Sequence, residues 1–141
     1  MKNINVALAG AGAFGIKHLD GIQNIDGIQV VSLISRDLEK TQEVADKYGI
    51  AHVTTDLAES LARPEVDAVI LCTPTQMHAE QSIACLQAGK HVQVEIPLCD
   101  NLADGLRAAM PEADELLVVP GCGFEEVIEG GIEAALVAAS Q

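Results

Sequence analysis

The six residues "GAGAFG" (10–15) limit the fold of this chain more than any other stretch. They follow the β-branched, apolar run "INVALAG" and open the segment "AFGIKHLDGIQNI", in which Phe14, Ile16, Leu19, Ile22 and Ile25 recur at roughly helical spacing. A strand, a tight glycine turn and a helix in that order form the first half of a βαβ unit. Each glycine has its own task in the G-x-G-x-x-G spacing. Gly10 permits the turn, Gly12 lets the backbone approach a pyrophosphate with no Cβ in the way, and Gly15 allows the helix to pack closely on the strand. The amides of the first helical turn, with Ala13 and Phe14, then offer N–H groups and a positive dipole end to phosphates. Such a turn can also serve packing alone, but the βαβ context favours dinucleotide binding.

The alternation continues along the chain. "IQVVSLISR" reads as a second strand, and "DLEKTQEVADKYG" as a helix with Asp37 as N-cap and Gly49 as C-cap. "AHVTT" is a short third strand, followed by a helix from Asp56. "VDAVILCTP" is a fourth strand, "TQMHAEQSIACLQAGK" a helix closed by Gly89, and "HVQVE" a fifth strand. Right-handed crossovers make this a Rossmann-type doubly wound parallel sheet, an α/β three-layer single domain over residues 1–141. With 49% apolar residues but only three aromatic ones, the core must be built from Val, Ile, Leu and Ala. Strands buried on both faces have that character.

Residues 103–141 differ. "NLADGLRAAM" reads as a helix capped by Asn101, "ELLVVPG" as a sixth strand and "FEEVIEGGIEAALVAAS" as a last helix weakened by Gly130 and Gly131. Residues 1–99 carry a formal charge of −5 and residues 100–141 one of −8, which makes this an atypical tail.

A net charge of −13 argues against nucleic-acid and anionic-membrane partners, which are held by clustered Lys and Arg. No apolar run is long enough to span a bilayer, and the N-terminus lacks a signal-peptide pattern. Cys72, Cys85, Cys99 and Cys122 form no C-x-x-C pair, so reduced thiols in a cytoplasmic protein are expected, with no metal site. A thiol or metal role for Cys72, Cys99 and Cys122, which fall at or after strand ends, weighs less than packing. His78 and His91 lie toward the ligand side of the sheet, where a capping or packed role outweighs a catalytic one; His18 and His52 rank lower still.

NAD is usually held through its ribose by an acid at the end of the second strand. Here "SLISRD" places Ser35 and Arg36 at that point, a hydroxyl and a guanidinium that suit a 2′-phosphate. NADP is therefore expected over NAD, with Asp37 as the acid that would reverse the choice. At the carboxyl ends of the fourth and fifth strands, "CTPTQMH" and "VEIPLCD" bring Thr73, Pro74, His78, Glu95 and Pro97 toward the same crevice. Thr73 offers a hydroxyl and Pro74 an apolar edge to the nicotinamide ribose.

The stretches "VALAGAGAFGIKHLDGI" and "VDAVILCTPTQMHAEQSIACLQAGKHVQVEIPL" resemble the N-terminal domain of the glucose–fructose oxidoreductase, inositol dehydrogenase and MocA (Gfo/Idh/MocA) family, over residues 1 to about 102. The resemblance implies hydride transfer to NADP, and within the family is nearest to a subgroup that oxidises semialdehydes as their cyclic hemiacetals. The family motif Glu-Lys-Pro appears here as Glu95-Ile96-Pro97, so the lysine's role is lost, which the resemblance makes a trait of that subgroup. The family's Gly-His with following arginines is replaced by "PGCGFEE" (120–126), and its substrate domain is expected to be absent. The first expectation is thus an NADP-binding domain with little turnover, taking a small-molecule substrate only alongside a substrate domain and open to homo-oligomer formation. The alternatives are an engineered or chimeric folding scaffold, and a complete small enzyme whose tail supplies Cys122 or Glu125.

Overall fold

The structure is a computed structural model that describes residues 3–101, 104 and 105, and the backbone of 116–119. Six strands form one parallel sheet: β1 (Ile4–Ala9), β2 (Ile28–Ile34), β3 (His52–Thr54), β4 (Ala68–Leu71), β5 (His91–Glu95) and β6 (Leu116–Val119). Among the described residues, four helices lie between the first five strands: α1 (Ala13–Ile22), α2 (Leu38–Tyr48), α3 (Leu57–Leu61) and α4 (Thr75–Gln87). The strand order is β3-β2-β1-β4-β5-β6, and every pairing is parallel. The direction of winding therefore reverses between β1 and β4, the position at which open α/β sheets bind ligands.

Period-two alternation along β1 divides the core into two layers. Val6 and Leu8 point to the side where Leu19 and Ile22 of α1 and Ala45 of α2 complete a cluster with Leu33 and Ile70. Ala7 and Ala9 point to the other side and join Val69, Leu71, Val92 and Val94 with Cys85 and Leu86 of α4, while Leu57 and Leu61 of α3 pack against that layer. Helices thus cover both faces, and β1 is buried because it lies between them. The aromatic-poor composition leads to this aliphatic sandwich.

The elements end where the local chemistry stops them. α1 closes at Ile22, not Ile25, because the amides of Asn24 and Ile25 bond back to Gly21 and Ile22 and the chain then turns at Gly27 with φ +87°. α2 begins at Asp37, whose carboxylate accepts from the Lys40 amide at 3.2 Å, and ends at Gly49 in the left-handed region. Asn101 accepts from the Asp104 amide at 3.0 Å, the contact of an N-cap. β2 and β4 stop at Ile34 and Leu71, so Ser35, Arg36, Thr73 and Pro74 belong to loops and not to strands. The sixth strand lies at the sheet edge beside β5. The expected last helix, the "PGCGFEE" stretch, Cys122 and Glu125 lie outside the described residues.

Gly15 fixes the distance between α1 and β1. A Cβ there would lie 1.8 Å from the Gly10 carbonyl oxygen, which no rotamer change can relieve. Gly15→Ala is expected to destabilise the fold by roughly 1–3 kcal/mol, the usual range for forced overpacking. Urea denaturation followed by circular dichroism measures this; a variant as stable as the parent contradicts the close packing.

Candidate functional site: a groove at the sheet's switch point

A groove of about 480 Å³ opens over the carboxyl ends of β1, β2 and β4. Its size is that of a cleft for a small molecule or cofactor. The parallel register determines which loops meet there. Leu8 and Ala9 of β1 pair with Ile70 and Leu71 of β4 and with Leu33 and Ile34 of β2, so the three following loops leave the sheet side by side.

The first loop is the glycine turn. Gly10 holds φ +102°, and a Cβ on it would sit 2.4 Å from the Cys72 carbonyl oxygen, so this turn passes directly over the end of β4. Gly12 is the N-cap of α1 and meets nothing within 4 Å where a Cβ would stand. Space is therefore open beside the Gly12 backbone at a helix N-terminus, the arrangement that accepts phosphate oxygens. Ala13 and Phe14 start α1 outside the groove lining, Phe14 with 55% of its surface exposed, and Gly15 is buried beneath the turn.

The second loop carries Ser35, Arg36 and Asp37, and all three line the groove with Lys40 and Thr41 of α2. Asp37 is occupied locally. Its Oδ1 accepts from the Lys40 amide, and its Oδ2 lies 3.3 Å from Lys40 Nζ. These contacts hold its carboxyl below the usual carboxylate range, the backbone amide of Lys40 contributing most. Arg36 and Lys40 are both exposed, so two cations rim this end of the groove.

The third loop brings Cys72, Thr73 and Pro74 to the opposite wall, with Met77 and Gln81 of α4 behind them. The Thr73 hydroxyl donates to the Gln81 side-chain carbonyl. His78 is buried and does not line the groove. Its Nε2 lies 2.7 Å from the Thr73 carbonyl and its Nδ1 2.9 Å from that of Pro97, so this one ring ties the loops after β4 and β5 together. Glu95 and Pro97 are likewise outside the groove lining: Glu95 sits 2.6 Å from His18 Nε2, and Pro97 is exposed after a cis Ile96–Pro97 peptide. Ile96, at the place of the family's lysine, is 46% exposed and brings no charge there.

Of the residues singled out from the sequence, Gly10, Gly12, Ser35, Arg36, Thr73 and Pro74 thus converge on one groove. Ala13, Phe14, Gly15, His78, Glu95 and Pro97 surround or support it. The sequence reading missed Ala11, Lys40, Val44, Met77 and Gln81 as lining residues. Lys40 had a signal, since it stands one helical turn beyond Arg36; Met77 and Gln81 had one only in being four apart on the helix after Pro74.

A parallel sheet of this order, with a glycine-rich turn at the switch point, defines a Rossmann-type nucleotide-binding domain. Residues 4–119 match the model of the Gfo/Idh/MocA oxidoreductases, described as an oxidoreductase family with an NAD-binding Rossmann fold, and the chain belongs to that family. The match runs through β6. The chain is 66% identical over 112 residues to 4-carboxy-2-hydroxymuconate-6-semialdehyde dehydrogenase of Sphingobium sp., which covers 79% of this chain and 35% of that protein. Among solved structures, a probable dehydrogenase from Thermotoga maritima superposes with a TM-score of 0.78 at 30% identity, over 84% of this chain and 36% of that one. KijD10, a 3-ketoreductase from Actinomadura kijaniata solved with TDP-benzene and NADP, gives 0.75 at 26% identity, over 84% and 38%. The chain spans about a third of the length of the curated relatives it matches. Among the described residues, no helix is long and apolar enough to cross a membrane.

Cys72 lines the groove, and it is poorly suited to nucleophilic chemistry. Burial, and secondarily the charge of Glu95, push its thiol far above the ordinary range. Burial likewise pushes Cys85 up to about 12. Both are expected to react with iodoacetamide at mildly alkaline pH at least tenfold more slowly than a small-molecule thiol, because the thiolate is the reactive form. Mass spectrometry of a time course checks this, and rapid alkylation of Cys72 contradicts it.

Proposed function

We propose that this chain is the cofactor-binding unit of an NADP-dependent oxidoreductase, with the pyrophosphate over Gly10–Gly12 and the adenosine 2′-phosphate between Ser35, Arg36 and Lys40. The observation that carries the preference for NADP is the state of Asp37. An NAD-binding acid must offer its oxygens to the ribose hydroxyls, whereas both Asp37 oxygens are engaged by Lys40. Arg36 and the Ser35 hydroxyl stand on that rim beside the Lys40–Asp37 pair, and a dianionic 2′-phosphate takes charge-assisted hydrogen bonds from such donors. The relative solved with NADP is consistent with this reading. The family description as NAD-binding supports the competing one, in which Asp37 turns from its cap toward the ribose.

The nicotinamide half would lie toward Thr73 and Pro74, with the Thr73 carbonyl held by His78. When bound, the cofactor supplies hydride acceptance or donation. This chain's residues orient it: the Gly12 turn binds phosphate, Thr73 and Pro74 form the wall, and the rim cations select the coenzyme. Among the described residues lining the groove, the ionisable groups at the nicotinamide end reduce to Cys72, held as a thiol. Residues 1–141 alone are therefore read as binding the cofactor with little turnover. Oxidation of a semialdehyde, the substrate class in the name of the Sphingobium relative, is the proposed reaction of the whole enzyme, with the cyclic hemiacetal as its reacting form, and the free thiols of Cys72, Cys85 and Cys99 fit a cytoplasmic setting.

Fluorescence titration with NADPH and NADH tests the reading. NADPH is expected to bind at least tenfold more tightly than NADH, and Arg36→Ala to remove about tenfold of NADPH affinity, roughly 1.4 kcal/mol, with little effect on NADH. Equal affinity for both coenzymes, unchanged in Arg36→Ala, overturns the 2′-phosphate assignment. Gly12→Ala is expected to leave thermal stability near that of the parent while weakening both coenzymes, since its Cβ meets only open space. Unimpaired binding by Gly12→Ala contradicts the placement of the pyrophosphate.

A further inference from the structure

At the carboxyl ends of β4 and β5, three donors of different chemistry face one another. His18 comes from α1, Cys72 from the residue after β4 and Glu95 from the last residue of β5. Their ligating atoms all lie within 4.8 Å of one another. The fold places them there for definite reasons. Leu71 and Val94 are register partners, so Cys72 and Glu95 occupy the next rung of the same pair of strands. The glycine contact presses α1 onto β1, and His18, one turn beyond Gly15, is delivered to the same end of the sheet with only 1% of its surface exposed. Cys72 packs against the core layer that α1 covers and also reaches the groove.

We propose that His18 Nε2, Cys72 Sγ and a Glu95 carboxylate oxygen form a binding site for one borderline-soft divalent cation of the zinc type. Imidazole, thiolate and carboxylate are the donor types that zinc takes, and three protein donors leave a fourth position for water or an added ligand. The sulfur selects against magnesium and calcium, which take oxygen ligands. The charges also agree: a thiolate beside a carboxylate in a half-buried place is unfavourable alone, and a divalent cation neutralises the two together. In the metal-free protein the thiol keeps its proton, and His18 and Glu95 contact each other at 2.6 Å. Tetrahedral zinc would open that contact to about 3.4 Å, a shift within reach of a glutamate side chain. On binding, the Cys72 thiol gives its proton to solvent as the sulfur takes the metal, and no oxidant or reductant takes part. Sequence spacing gives no hint of this site, since each donor sits on a separate element.

Cadmium titration of the reduced, metal-free chain reads the site through its ultraviolet thiolate-to-metal charge-transfer band. The expected result is one Cd²⁺ per chain with a single-thiolate band, displacement by Zn²⁺ and none by millimolar Mg²⁺. A triple variant, Cys85→Ser, Cys99→Ser and Cys122→Ser, is expected to keep the band. Cys72→Ser and Cys72→Ala are each expected to abolish it, and Glu95→Gln to weaken binding at least tenfold. A band that survives both Cys72 variants, or is lost in the triple variant while Cys72 is intact, overturns the assignment. So does the absence of any band at saturating cadmium.

Discussion

The contact between the Gly15 backbone and the Gly10 carbonyl determines the rest of this molecule. With room for only a hydrogen between them, α1 lies directly on β1, and its first turn opens over the end of the sheet. Any side chain at Gly15 would lift the helix and carry the Gly12 amide region away from the crevice. The turn at Gly10 depends on the same closeness, since the chain passes over the Cys72 carbonyl before entering the helix. Two glycines thus act on architecture and one, Gly12, on access.

Parallel register extends this local arrangement to the whole rim. Because β2, β1 and β4 are aligned, a turn, a cationic loop and a Thr-Pro wall emerge at one level without any long-range design of loops. The electrostatics follow from helix capping. Asp37 serves α2 as its N-cap with its oxygens turned to Lys40, so that end of the groove is lined by one carboxylate and the two cations Arg36 and Lys40. A strongly acidic chain can still carry a locally cationic rim, because what a bound group feels is the charge within a Debye length, about 10 Å at ordinary salt, and not the total.

Much of this was legible in the residues. β-Branched runs gave the strands, and the glycine spacing gave the turn together with the tight backbone contacts at Gly10 and Gly15. Asp37 and Gly49 marked both ends of α2. What was not legible has physical causes. The end of α1 was placed three residues late because Ile25 keeps the helical apolar spacing, while the backbone has already turned toward Gly27. Glu95 and His78 were read as groove residues from their position after strands, yet each side chain is turned to a partner that only the tertiary fold supplies, His18 for one and the carbonyls of Thr73 and Pro97 for the other. Lys40, Met77 and Gln81 line the groove from helices, whose inward face depends on crossing geometry that a single sequence does not specify.

The most direct test of the central claim is a ¹⁵N–¹H correlation spectrum of the chain recorded with increasing NADPH. If the groove holds the coenzyme as described, the amides of Ala11–Gly15, Ser35–Asp37 and Cys72–Thr73 shift together and saturate with one affinity, while those of β3 and the C-terminal half of α4 stay in place. Shifts absent from the glycine turn, or centred elsewhere on the molecule, would show that the turn serves packing alone and would contradict the account.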